Sequence, residues 1–155
     1  NSDKMDINTK FKKVSASMNN YLAIDIDNNL YAWGADLSNY INKDDFYDDY
    51  YANALNYITT PTRILKGTKF KDILASDNLG IVNFALTING ELYAWGNLWH
   101  DIFDDLDFVP NPINIYPNKK FKKISELPGF IDSNNDLIVA YGEYYYTGLR
   151  DNRLK

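Results

Sequence analysis

The chain has 155 residues, 45% of them hydrophobic and 24% charged, which suits one packed domain and argues against wholesale disorder. Lys plus Arg number 16 against 21 Asp plus Glu, a net charge of −5, so the surface repels phosphates and disfavours nucleic acids and anionic membranes as partners. There is no Cys, and His100 is the only His, which excludes disulfides, thiol nucleophiles and clustered Cys or His metal sites within the chain. A Cys-free soluble chain tolerates either redox state, so a cytoplasmic and a secreted location both stay open.

The longest apolar runs, 81–88 and 137–141, fall short of the roughly 20 residues that span a bilayer, so no membrane insertion is expected. No signal-peptide core, HExxH or GxSxG motif occurs. The chain starts at Asn1 rather than Met, which reads as a mature product or a piece of something longer, with Met5 a candidate native start.

In chain order, the first recognisable element is Phe11-Lys12-Lys13-Val14. Leu22, Ile24 and Ile26 then alternate with Ala23 and Asp25, the period of a strand with one buried and one looser face. Asn28-Asn29 predicts a two-residue hairpin turn, because Asn tolerates positive φ. The next strand ends in Tyr31-Ala32-Trp33-Gly34. A long acidic insertion, 35–56, follows, and Ala52, Ala54 and Leu55 would allow a short helix over 50–58. Pro61-Thr62-Arg63-Ile64 predicts a strand that starts at the proline.

The series then repeats. Phe70-Lys71-Asp72-Ile73 matches the first marker, and Val82, Phe84, Leu86 and Ile88 alternate with Asn83, Ala85 and Thr87. Asn89-Gly90 supplies the turn, and Tyr93-Ala94-Trp95-Gly96 stands 62 residues after its first copy. A second acidic insertion, 97–108, precedes Pro112-Ile113-Asn114-Ile115. The third copy has Phe121-Lys122-Lys123-Ile124, the turn Asn134-Asn135-Asp136-Leu137, and Ala140-Tyr141-Gly142, with Tyr141 in place of Trp. The chain therefore reads as a single repeat domain over 1–155: unit one about 10–64, unit two about 65–115 and a partial unit three about 116–155. Trp33, Trp95 and Tyr141 recur at the repeat's own spacing, so they read as packing between units.

This order of parts, F-x-x-I, a strand closed by an Asn-Gly type of turn, and a strand ending Y-x-W-G, resembles the RCC1-like (regulator of chromosome condensation) repeat of β-propellers over about residues 10–150. The resemblance implies an all-β fold of about three blades of short antiparallel strands. Propellers close with about 4 to 8 blades, so three make an incomplete propeller or arc. The family's N-x-x-G-Q-L-G after W-G is replaced by the two insertions, and only Thr147-Gly148-Leu149 hints at it. The usual Gly after F-x-x-I is missing, with Ser17 and Ser76 nearby. Open edges would invite self-association with a second copy, be covered by 2–10 and 144–155, or mark an excerpt of a larger propeller. RCC1-like propellers act mostly through protein contacts; the short, partial match does not carry over the exchange activity some of them have on a small GTPase.

The candidate binding residues lie in the insertions: Asp44, Asp45, Tyr47, Asp48, Asp49, Tyr50 and Tyr51 in the first, and Trp99, Asp101, Phe103, Asp104, Asp105 and Asp107 in the second. The repeat offset sets 45–49 opposite 107–111, so both occupy the same loop region of neighbouring units. Aromatics bury area at low entropy cost and carboxylates steer a basic partner, which suits another protein with a basic surface. The plainer reading is that the aromatics pack down on the blades while the Asp residues stay solvated. Asp25-x-Asp27-x-Asn29 looks like a calcium loop, but Leu30 and Asp36 stand where an EF-hand needs Gly and Glu, so a hairpin turn explains it better. Arg150, Arg153 and Lys155 read as a frayed basic end, and His100 as a surface residue.

These features point to a non-catalytic protein–protein interaction module, inhibitor- or immunity-like, with no cofactor. The alternatives are a carbohydrate-binding module, a carboxylate-based hydrolase, which needs two carboxylates about 5–10 Å apart in a cleft, or a structural fragment of a larger propeller. Abundant Asn, Lys, Ile, Asp and Tyr suggest an AT-rich, bacterial genome.

Overall fold

A computed structural model describes residues 3–39, 55–76, 81–98, 108–125 and 129–139. These form three antiparallel sheets, none closed on itself. The first holds β1 (Phe11–Ala16), β2 (Asn20–Asp25), β3 (Leu30–Ala35) and β4 (Tyr57–Ile64), in that order. The second holds β5 (Phe70–Ser76), β6 (Val82–Thr87), β7 (Leu92–Asn97) and β8 (Phe108–Asn114), and the third β9 (Phe121–Ser125), β10 (Gly129–Asp132) and β11 (Leu137–Val139). The fold is an all-β arc of three blades. Its one helical element among the described residues is a 3-10 turn at Leu37–Asn39. The short helix expected over 50–58 is not seen where it can be checked: Tyr57 and Ile58 open β4, whose run of β-branched residues favours a strand. The rest of that expectation, 50–54, lies outside the described residues.

The copies share one strand register. Val14 pairs with Ala23, Ile73 with Ala85 and Ile124 with Phe130. The three hairpins are also alike, and here the expected two-residue turn is corrected. Asn28 N–H donates to the Asp25 carbonyl at 3.0 Å and Asp25 N–H to Asn29 at 3.1 Å, which encloses a three-residue loop. The same pair of bonds recurs at Thr87 with Gly90 and Glu91, and at Asp132 with Asn135 and Asp136. The last loop residue has positive φ in each copy: Asn28 at 66°, Gly90 at 86° and Asn135 at 71°. Ile26 and Ile88 thus sit in turns and are exposed, rather than extending the buried faces of β2 and β6.

The glycine that closes each Y-A-W-G is required by close approach. A Cβ at Gly96 would stand 2.1 Å from the Ile81 carbonyl oxygen, and one at Gly34 would stand 2.3 Å from that of Asn19. Both glycines have φ near +105°, beside a bulge that leaves the preceding Trp out of the pairing with the outer strand. The prolines do not start strands as expected. Pro61 lies inside β4 and Pro112 inside β8, both outer strands, where a missing N–H costs no ladder bond.

The blades stack face to face through two apolar clusters. Leu22, Ile24 and Leu30 of the first blade pack with Phe70, Ile73, Ala85 and Trp95 of the second. Val82, Phe84, Leu86 and Leu92 of the second pack with Phe121, Ile124 and Phe130 of the third. The middle blade is covered on both sides, which explains why every residue of β6 is buried instead of alternate ones. Along the outer edge of the first blade, Lys4 pairs with Thr62, Met5 N–H donates to the Pro61 carbonyl at 2.9 Å, and Arg63 N–H to that of Asp3 at 2.7 Å. Residues 3–5 therefore cover that edge.

Candidate functional site

The strand directions sort every connection onto one of two rims. One rim carries the three hairpin loops and the connections 65–69 and 115–120. The other receives the ends of β3 and β7 and the starts of β4 and β8, so it is where the two acidic insertions leave and rejoin the sheets. Apolar residues anchor them. Leu37 and Leu55 pack on the first cluster, Leu98 is buried in the second, and Phe108 packs on the first. Tyr57 is half-exposed at this rim and donates to Asn19 Oδ1 at 3.1 Å. Asp44, Asp45, Tyr47, Asp48, Asp49, Tyr50, Tyr51, Trp99, Asp101, Phe103, Asp104, Asp105 and Asp107 themselves lie outside the described residues, as does His100.

The hairpin rim carries both charges, with Asp25, Asp27, Glu91, Asp132 and Asp136 in or beside its loops. Lys12, Lys66, Lys69, Lys71, Lys120 and Lys122 all lie at strand starts or connections there. Lys69 Nζ donates to Asn29 Oδ1 at 2.8 Å and to the Asp27 carbonyl at 2.9 Å, and Arg63 reaches the same Asn29 Oδ1 at 2.6 Å. Lys122 donates to Asn135 Oδ1 at 2.8 Å.

The calcium-like Asp25-x-Asp27-x-Asn29 is accounted for by the turn. Asp25 Oδ1 accepts from the N–H of Asp27 at 2.9 Å and of Asn29 at 2.8 Å, and its Oδ2 accepts from Asn29 Nδ2 at 2.7 Å. Asp132 does the same for Asn134 and Asp136, and the Thr87 hydroxyl for Glu91. Asp25 also acts on its neighbour: burial first, and then the Asp25 charge, push the Tyr31 phenol above its ordinary pKa, against an opposing pull from Arg63. Among the described residues, no group of three His, Asp or Glu is placed to hold a metal ion.

Two further features escaped the sequence reading. The inner strands share one carboxylate: Asp72 pairs with Lys13 of the first blade and accepts Ile124 N–H of the third at 3.1 Å. The outward face of the first blade carries exposed Val14 and Met18, part-exposed Phe11, and a Tyr21–Trp33 stack with ring centroids 5.4 Å apart. Trp33 therefore lacks the interblade cover that its counterpart Trp95 has. The signal was positional, since a repeat motif that begins a series has no predecessor to pack on.

The stacked antiparallel sheets, the repeated hairpins and the Y-A-W-G bulges can now be set beside solved structures. The chain is similar to Prp20p from Saccharomyces cerevisiae, at 21% identity and a TM-score of 0.55, over 76% of this chain and 29% of that one. It is also similar to human WBSCR16, at 15% identity and a TM-score of 0.62, over 88% and 34%. A structure of Kap60 bound to yeast RCC1 (Prp20) matches at 23% identity and a TM-score of 0.48, over 76% and 28%. The fold is RCC1-like. The chain spans about a third or less of the length of these proteins. No family model and no curated protein matches the sequence. No helix among the described residues of this RCC1-like fold is long and apolar enough to cross a membrane.

Proposed function

We propose that the chain is a non-catalytic protein-interaction module that presents its two acidic–aromatic insertions, from a single rim of an RCC1-like scaffold, to the basic surface of another protein. The observation that carries this reading is that both insertions join strand ends on the same rim, each anchored by buried or packed apolar residues. Rigid sheets holding long loops suit recognition, and carboxylates clustered in those loops would steer a basic partner. Prp20p from Saccharomyces cerevisiae, which has a similar fold, binds Gsp1p and histones. An inhibitor- or immunity-type role fits a small acidic binder of this kind.

The test is charge reversal, Asp→Lys, at Asp45, Asp48, Asp49, Asp104 and Asp105 together. Proteins captured from the source cell by the unaltered chain are identified by mass spectrometry and their affinities compared. Binding should weaken strongly and lose its salt dependence. Undiminished binding by a folded variant would show that another surface is used.

A further inference from the structure

The outer strands of the first two blades end in the same register. Thr62 pairs with Ala32 and Ile113 with Ala94, and Arg63 pairs with Tyr31 and Asn114 with Tyr93. Beyond β8, Ile115 N–H donates inward to the Leu92 carbonyl at 3.0 Å. Successive residues of a strand turn their polar groups to opposite edges, so the Asn114 N–H and the Pro112 carbonyl face away from β7. Their counterparts in β4 are the two groups that residues 3–5 engage. Arg63 N–H donates to the Asp3 carbonyl at 2.7 Å, and the Pro61 carbonyl accepts Met5 N–H at 2.9 Å. The second blade differs here: among the described residues, no bond reaches the Asn114 N–H or the Pro112 carbonyl from that side.

The two edges are also alike in charge. Asp3 pairs with Lys66, in the connection that follows β4. The connection that follows β8 makes the same turn: Thr68 N–H donates to the Leu65 carbonyl at 3.1 Å, and Lys119 N–H to that of Tyr116 at 3.0 Å. There Pro117 takes the place of Lys66 and Lys119 the place of Thr68, so a cation is kept within the turn. Among the described residues, Lys119 has no ion pair. Pro61 and Pro112 have no N–H, which halts a longer ladder at the same point in both blades and fixes where a guest strand adds.

We propose that the outer edge of β8, at Pro112–Asn114, receives an extended segment of another protein as one further antiparallel strand, as β4 receives Asp3-Lys4-Met5. The guest carries Asp or Glu opposite Asn114 and a residue other than Pro opposite Pro112. The carbonyl of its acidic residue accepts the Asn114 N–H, the carboxylate meets Lys119, and the N–H two residues later donates to the Pro112 carbonyl. This is strand addition at an exposed edge, in which backbone bonds hold the guest and flanking side chains select it. Two backbone bonds and one ion pair make a weak contact by themselves, so the edge orients a partner that is also held elsewhere. The site lies at the hairpin end of β8, away from the insertions, and does not depend on their role.

The probe is an acetylated peptide with the sequence of residues 1–8, titrated to millimolar concentration into the isotope-labelled full chain and read by amide hydrogen exchange. In the free, dilute chain the Arg63 amide, held by Asp3, should exchange slowly and the Asn114 amide quickly. Saturating peptide should slow the Asn114 amide by about fivefold or more and shift the resonances of Ile113 and Lys119, with Arg63 unchanged. A peptide N-methylated at Met5 has no donor for Pro112 and should bind about two- to tenfold more weakly, and this loss involves no change to the chain's own folding. Asp3→Lys in the peptide or Lys119→Glu in the chain should each cost about two- to fivefold, and the two together should restore binding. An Asn114 amide indifferent to the peptide, changes centred on Arg63 instead, or indifference to the exchanged charges would each overturn the proposal. So would an Asn114 amide already slow in the dilute chain, or one that slows with chain concentration alone, which would give the edge to a second copy.

Discussion

Phe11, Phe70 and Phe121 occupy the same motif position but differ in cover, which makes them an internal control for the stacking of blades. Truncating a fully buried Phe to Ala costs about 3–5 kcal/mol, from lost transfer energy and the cavity left behind. Phe70 and Phe121 are 0% and 2% exposed, so Phe70→Ala and Phe121→Ala should each fall in that range. Phe11 is 37% exposed and keeps its edge-on contact with Tyr31, ring centroids 5.3 Å apart. Scaled by the covered fraction, Phe11→Ala should cost roughly 2–3 kcal/mol. Urea unfolding of dilute protein, followed by circular dichroism and by Trp fluorescence, gives the three values. Phe70→Ala should also separate the two signals, because the first blade loses its anchor on the second. If Phe11→Ala proves as costly as Phe70→Ala, or if Phe70→Ala costs under about 1 kcal/mol, the stacking account is wrong.

Gly96→Ala should destabilise the chain by about 3 kcal/mol or more, since its Cβ would meet the Ile81 carbonyl at 2.1 Å, whereas Gly67→Ala, with open space around it, should cost only about 1–2 kcal/mol for its φ of +88°; thermal melts compare them. Asp72→Ala removes an acceptor shared by three strands and should cost about 2–3 kcal/mol in urea, with a smaller salt dependence than the unaltered chain. Tyr31 is a group whose folded pKa is raised, so its contribution is complete below the unfolded value of 10.0 and fades as pH climbs through the higher folded value. Tyr31→Phe should therefore lose less stability above about pH 10 than the unaltered chain, and equal losses in alkaline melts would contradict the buried phenol.

The repeats were legible because period and spacing carry them: three F-x-x-[IV] markers, three turns with Asn or Gly at the positive-φ site, and two Y-A-W-G strands each became the elements they suggested. The loop lengths were less legible. Asn28-Asn29 reads as a two-residue turn, but Asp25 captures the N–H groups of Asp27 and Asn29 and so fixes a three-residue loop. Alternation misled at β6, because a strand between two other blades is covered on both faces and period two no longer reports burial. Asp72 was invisible as a shared acceptor, since its contacts with Lys13 and with the Ile124 N–H appear only across blades. The acidic insertions were conspicuous by composition, while the exposed Val14 face was hidden behind a motif that is buried in its other two copies.

The middle blade is the one element on which both apolar clusters draw. In such a nearest-neighbour array, the outer members gain cooperativity only through the member they share. Opening should therefore run inward from the termini, with the amides of β6 the slowest to exchange with deuterium. Tolerance to sequence drift should follow the same gradient, steepest against change at Val82–Thr87 and most permissive at the outward face of β1.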